Sequence, residues 1–124
     1  MTEMNIPDDY IIVDVPGMLA VKVTISEGFG HERPDPDWNR EAAESQFVFA
    51  EFLAEKGLLA HGSKVERKPD LVVRWAELTE QGQRFVRSDY HKWLVSIDKT
   101  GTTESKMREK LERRWAKFDR LANL

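Results

Sequence analysis

The chain has no cysteine among its 124 residues, which excludes disulfides and thiolate-bound metal. Long apolar runs are also missing. No stretch approaches the ~18 residues of a membrane-spanning helix, so no membrane partner is expected. The N-terminus, MTEMNIPDD, is acidic and lacks the basic-then-apolar order of a signal peptide, which points to a cytoplasmic location. Histidine is sparse. His31, His61 and His91 are scattered and have no metal-ligand spacing. The neighbourhood of His31 and Glu32 with Asp35 and Asp37 offers a hard cation little more than a solvated acidic loop. Ser26, Ser45, Ser63 and Ser96 stand in no nucleophile-elbow context. Gly28-Phe29-Gly30 is too short for a phosphate loop, and no lysine follows it as a Walker motif requires. No catalytic constellation, metal site or cofactor site is expected, and the chain is read as a non-enzyme.

What is present is an ordinary globular balance, 40% apolar and 33% charged. That suits a single domain spanning 1–124. The net charge of −3 hides an asymmetry. Residues 1–60 carry four Lys or Arg against twelve Asp or Glu, whereas residues 61–124 carry fifteen against ten. Such a field either steers a charged partner to one end or is neutralised by pairing between the halves.

Hydrophobic periodicity predicts an α+β fold with an N-terminal β-hairpin, a central helix, a further strand and two C-terminal helices. Tyr10–Val15 is β-rich. Pro16-Gly17 reads as a turn, and the alternation of Leu19, Val21, Val23 and Ile25 predicts a returning strand. Residues 26–39 read as a loop rich in Gly, Pro and acid. A helix is expected over 40–59, capped by Asp37 or Asn39, with Phe47, Ala50, Leu53, Ala54 and Leu58 as its core stripe and Phe49 and Phe52 widening it. Gly57 suits a left-handed C-cap, with Leu58 folding back on the last turn. Residues 71–78 form a strand candidate. Thr79 caps a helix that runs to about Asp98, and Lys99-Thr-Gly101 breaks it. Thr102 or Thr103 opens a last helix whose seam is Met107, Leu111, Trp115, Phe118 and Ala122.

The segment Phe52–Val86 carries a resemblance. LAEKGLL, a basic gap and VVRWAELTEQGQRFV together resemble the recognition-helix end, wing and following helix of MarR- and PadR-type winged-helix regulators. Leu78, Thr79 and Gly82 match the Leu-Thr-x-x-Gly helix start. The resemblance implies DNA binding, with a wing over Ser63–Asp70 and Lys64, Arg67 and Lys68 facing phosphate. Two departures stand beside it. Only one helix precedes Gly57 where such readers carry a helix–turn–helix, and that helix bears Glu41, Glu44, Glu51 and Glu55 against Arg40 and Lys56.

Other residues suit binding. Trp38 either anchors a partner or staples the first long helix. Arg113 and Arg114 lie on the basic face of the last helix, although Glu104, Glu109, Glu112 and Asp119 interleave with its cations. Trp115 sits on a seam that a second copy would cover if the helix projects, giving a homodimer, or that packs in cis against the 80–98 helix. Small size, bipolar charge and the lack of catalytic residues favour a non-catalytic protein-binding module of the inhibitor, immunity or adaptor kind. A winged-helix-like DNA-binding regulator is the alternative, so a protein partner is expected first and nucleic acid second.

Overall fold

In the computed structural model of the chain, residues 6–61, 64–98 and 102–123 are described. In chain order they form β1 (Ile11–Asp14), α1 (Val15–Ala20), β2 (Thr24–Gly28), β3 (His31–Pro34), α2 (Pro36–Glu55), β4 (Val72–Arg74), a 3-10 turn (Trp75–Glu77), α3 (Glu80–Phe85), a π-helical segment (Val86–Tyr90), α4 (His91–Ile97) and α5 (Glu104–Ala122). The α+β class and the order of its parts are as the sequence predicts. Two antiparallel pairs, β1 with β4 and β2 with β3, make up the sheet content.

The N-terminal hairpin exists, but other residues make it. The expected hairpin over 10–25 does not form. Asp14 accepts the Gly17 N–H at 2.9 Å, and Pro16 sits in the first turn, so Pro16-Gly17 opens α1 instead of closing a strand pair. Leu19 and Val21 are consequently exposed and face no sheet. The expected loop over 26–39 is the hairpin itself, pairing Thr24 with Pro34 and Gly28 with His31, followed by the first turn of α2. Asp35, not Asp37 or Asn39, caps α2 by accepting the Trp38 N–H at 3.3 Å, with Pro36 at the first helical position. Asn39 has a different task. Its amide donates to the carbonyls of Met18 and Val21 at 2.8 and 2.7 Å and closes the end of α1.

The rest of the helix grammar holds. α2 is buried on several sides, with Phe49, Phe52 and Leu53 fully enclosed. It ends in a Schellman turn. Gly57 has φ of +69°, its N–H donates to Ala54, and the Leu58 N–H donates back to Leu53 at 2.9 Å. Thr79 and Thr103 cap α3 and α5 through the N–H groups of Gly82 and Lys106. From Glu80 to Ile97 the chain is helical throughout, but the π-helical turn over Val86–Tyr90 inserts one extra residue. That shift lets one helical run serve two aromatic clusters. Phe85 packs with Phe52, Trp115 and Phe118, at centroid distances of 5.3–5.7 Å. Tyr90 and Trp93 pack with Phe49, at 4.2 and 5.3 Å. The break expected at Lys99-Thr-Gly101 lies outside the described residues.

β1 is covered on its inner face by α2, and Val13 and Val15 are fully buried. Its pairing with β4 skips a residue at Ile12. The Ile12 carbonyl accepts the Tyr90 hydroxyl at 2.9 Å.

Candidate interaction surfaces

Three surfaces hold the residues singled out from the sequence. The first is the segment between α2 and β4. Residues 64–70 adopt no regular secondary structure, and β4 pairs with β1. Ser63 lies outside the described residues. Lys64 is exposed. Arg67 is held on both sides, by Glu51 of α2 at 2.7 Å and by Glu104 in the first turn of α5. Its hydrogen bond to Glu51 outweighs its partial burial and raises its already high pKa further. The guanidinium also lies 5.7 Å from the Phe47 ring centroid. Lys68 pairs with Glu66 at 2.9 Å.

The Leu78, Thr79 and Gly82 positions that carry the winged-helix resemblance share one packing junction. Leu59 and Leu78 form a bridge, and the Thr79 N–H donates to the Leu58 carbonyl at 2.8 Å. A Cβ on Gly82 would lie 2.7 Å from that carbonyl oxygen and 3.1 Å from the Leu58 Cβ. The oxygen is backbone and cannot swing aside. Gly82→Ala is therefore expected to lower stability by about 1–2 kcal/mol, the clash exceeding the helix-propensity gain, as urea denaturation would show. A more stable variant would show that α3 and Leu58 are not this close.

The second surface is α5. Met107 and Leu111 are buried, and Trp115 and Phe118 are half-buried against Phe52 and Phe85. The seam thus packs in cis. Arg113 pairs with Glu109 along the helix, and Arg114 reaches Asp89 of the π segment at 3.4 Å. Lys56 and Arg108 converge on Glu112, at 3.0 and 3.4 Å, and Arg108 also meets Glu55. Burial works against ionised Glu112, but the Lys56 and Arg108 contacts win and hold its pKa below the usual carboxylate range. Part of the charge asymmetry is thus neutralised inside the fold, where Arg67 and Arg108 of the basic half meet Glu51 and Glu55 of the acidic half.

The third surface is a groove of about 550 Å³ between β1, the start of α2 and α4. Ile11, Met18, Trp38, Leu94 and Val95 are among its apolar walls. Trp38 is 37% exposed and Val95 61% exposed. Of the sequence-derived candidates, Trp38 is the one placed here. In the groove wall, the Gln46 carbonyl accepts the Asp14 N–H at 2.9 Å, and its amide donates to the Tyr90 hydroxyl at 3.1 Å. Burial pushes the Tyr90 phenol up to about 12. Asp14, Gln46 and Tyr90 are thus joined in one hydrogen-bonded network, and Glu41, His91 and Asp98 also line the groove.

No protein-family model matches the sequence, and comparison with curated proteins and with solved structures finds no match. Among the described residues, no helix is long and apolar enough to cross a membrane.

Gly28, Phe29 and Gly30 all have positive φ, at +89°, +52° and +78°. Phe29 and Gly30 form the two-residue tip of the β2–β3 hairpin. The Phe29 side chain is fully exposed. A left-handed non-glycine residue costs roughly 1–2 kcal/mol, and such tips favour Asn, Asp or Gly. The Gly-Phe-Gly signal was visible, but only the hairpin register turns it into an exposed, strained aromatic. The acids of the same stretch have local partners. Glu32 accepts the Thr24 hydroxyl at 3.2 Å, Glu27 pairs with Arg33, and Asp35 caps α2.

Proposed function

We propose that the chain is a non-catalytic protein-binding module that uses the Trp38 groove as a contact surface. The observation that carries this reading is a contrast. Of the cations that the sequence suits to phosphate, Arg67, Lys68, Arg113 and Arg114 are each paired with a carboxylate of the same chain, while Lys64 is exposed. Trp38 and Val95 instead offer exposed apolar surface beside a groove in whose wall Asp14, Gln46 and Tyr90 hydrogen-bond to one another. Aromatic residues flanking a groove are typical protein-interface anchors, whereas neutralised cations gain little by releasing counterions from DNA. The α5 seam is filled by the chain's own Phe52 and Phe85, so a homodimer through α5 is not part of this reading.

The test is affinity capture from lysate with nuclease treatment, comparing the tagged protein with its Trp38→Ala and Val95→Asp variants. A stoichiometric protein that survives nuclease, persists at moderate salt and is lost with either variant is the expected result. Recovery of nucleic acid that weakens steeply with salt and with Lys64→Glu would replace this reading with the DNA-binding regulator. Unchanged unfolding midpoints for the variants would separate lost contact from lost fold.

A further inference from the structure

We infer that the Trp38 groove receives an amphipathic helix of a protein partner, its apolar stripe bordered by lysine or arginine. This rests on the protein-binding reading and names the form and the charge of what is bound.

Charge sets the border. Asp14, Glu41 and Asp98 line the groove, and among the described residues no lysine or arginine does. Asp14 is occupied as the cap of α1. Glu41 and Asp98 are not: among the described residues, neither side chain makes a hydrogen bond or an ion pair. Elsewhere in the fold Glu51, Glu55, Asp89 and Glu112 each meet an arginine or a lysine. Arg40, beside Glu41 in the chain, turns to Asp37 and Glu44. Lys92 follows the lining residue His91 but does not line the groove, and Lys110 is held by the Ser96 carbonyl. Two open carboxylates thus share the groove with the exposed apolar surface of Trp38 and Val95. Lysine and arginine suit both, because their stems are apolar and their heads are cationic.

Backbone chemistry sets the form. An extended segment bound here would add to β1, the strand in the groove wall, through main-chain hydrogen bonds. Those groups of β1 are already engaged. The Ile12 carbonyl accepts the Tyr90 hydroxyl at 2.9 Å, and the Asp14 N–H donates to Gln46 at 2.9 Å. A helix satisfies its own backbone and binds through side chains alone. The groove offers it walls of the matching kind, Trp38 on α2 and Leu94 and Val95 on α4. The π-helical turn also ends here, with Tyr90 in the wall, and such turns are frequent at functional sites.

The experiment selects binders of the full chain from a displayed peptide library that samples helical and extended apolar patterns with basic, neutral and acidic borders. Affinities of the selected peptides are then read by fluorescence anisotropy. The expected peptides carry a helical apolar stripe bordered by Lys or Arg. Their affinity should fall roughly 10- to 100-fold with Trp38→Ala. It should fall about 3- to 10-fold with Glu41→Gln combined with Asp98→Asn, a loss that shrinks at high salt, while the unfolding midpoints stay unchanged. Selection on Glu41→Lys combined with Asp98→Lys should enrich acidic borders instead. Peptides that need Trp38 but are extended, have acidic borders or ignore the carboxylate variants would keep the protein-binding reading and overturn the inference. The lack of any peptide that depends on Trp38 would overturn both. Self-association of the free chain that is lost with Trp38→Ala, read by sedimentation, would place a second copy in the groove and overturn the partner helix.

Discussion

Trp93→Ala is expected to lower stability by about 3–5 kcal/mol, the usual loss when a buried tryptophan is truncated. Against a typical domain stability of roughly 5–15 kcal/mol, that is a large fraction. The reasons are specific. Trp93 has no exposed surface and stacks on Phe49 at 5.3 Å. Its indole N–H donates to the Met107 carbonyl at 3.0 Å, tying α4 to the second turn of α5. Alanine leaves a void bounded by two helices and removes that tie. Trp93→Phe retains most of the ring contact and loses the hydrogen bond, so it should cost less, about 1–3 kcal/mol. Urea denaturation of the three proteins checks the order. Equal losses for Ala and Phe would mean that the indole N–H, and not the packed volume, carries the site.

Gln46→Leu should cost about 2–3 kcal/mol, although leucine is similar in size and apolar. Gln46 is 2% exposed and accepts the N–H of Asp14. Leucine leaves that donor orphaned at the end of β1 and takes a donor from the Tyr90 hydroxyl. Tyr90→Phe should cost about 1–3 kcal/mol, because the Ile12 carbonyl loses its donor. The double variant should cost less than the sum of the two, since the groups form one network. A simple sum would separate them.

The same phenol sets a pH response. Its folded pKa of about 12 lies above the ordinary 10, so folding favours the neutral form. The stabilisation is complete below pH 10 and is lost as pH rises from 10 through 12, by about 2–3 kcal/mol in all. The difference in stability between the parent and Tyr90→Phe should therefore shrink across that window. A difference constant to pH 12 would place the hydroxyl in water.

Local chemistry was legible in the sequence, and long-range chemistry was not. Gly57 with Leu58, Thr79, Thr103 and the Met107–Leu111–Trp115 stripe could be read because capping and helical periodicity act within a few residues. Asp14 with Pro16 could have been read the same way. Asp before a first-turn proline is a helix start, and that signal won over the alternation of Leu19 to Ile25. The hairpin over 24–34 hides because its strands are short and polar and its turn carries Phe where Asn is usual. The π insertion has no period of its own. Arg67 looked like a phosphate ligand because Glu51 and Glu104 lie 16 and 37 residues away. The groove has the same origin, since Ile11, Trp38 and Val95 meet only after folding.

The pairing of β1 with β4 has a consequence for synthesis. The two strands lie roughly 60 residues apart in the chain, so the first emerges from the ribosome well before its partner exists. At 5–20 residues per second, Val13 and Val15 wait about 3–12 seconds for that partner. α2, complete long before β4, is the surface available to shelter them in the interval. A nascent chain stalled before Val72 would then hold its first strand against a helix, with one edge still open to other chains.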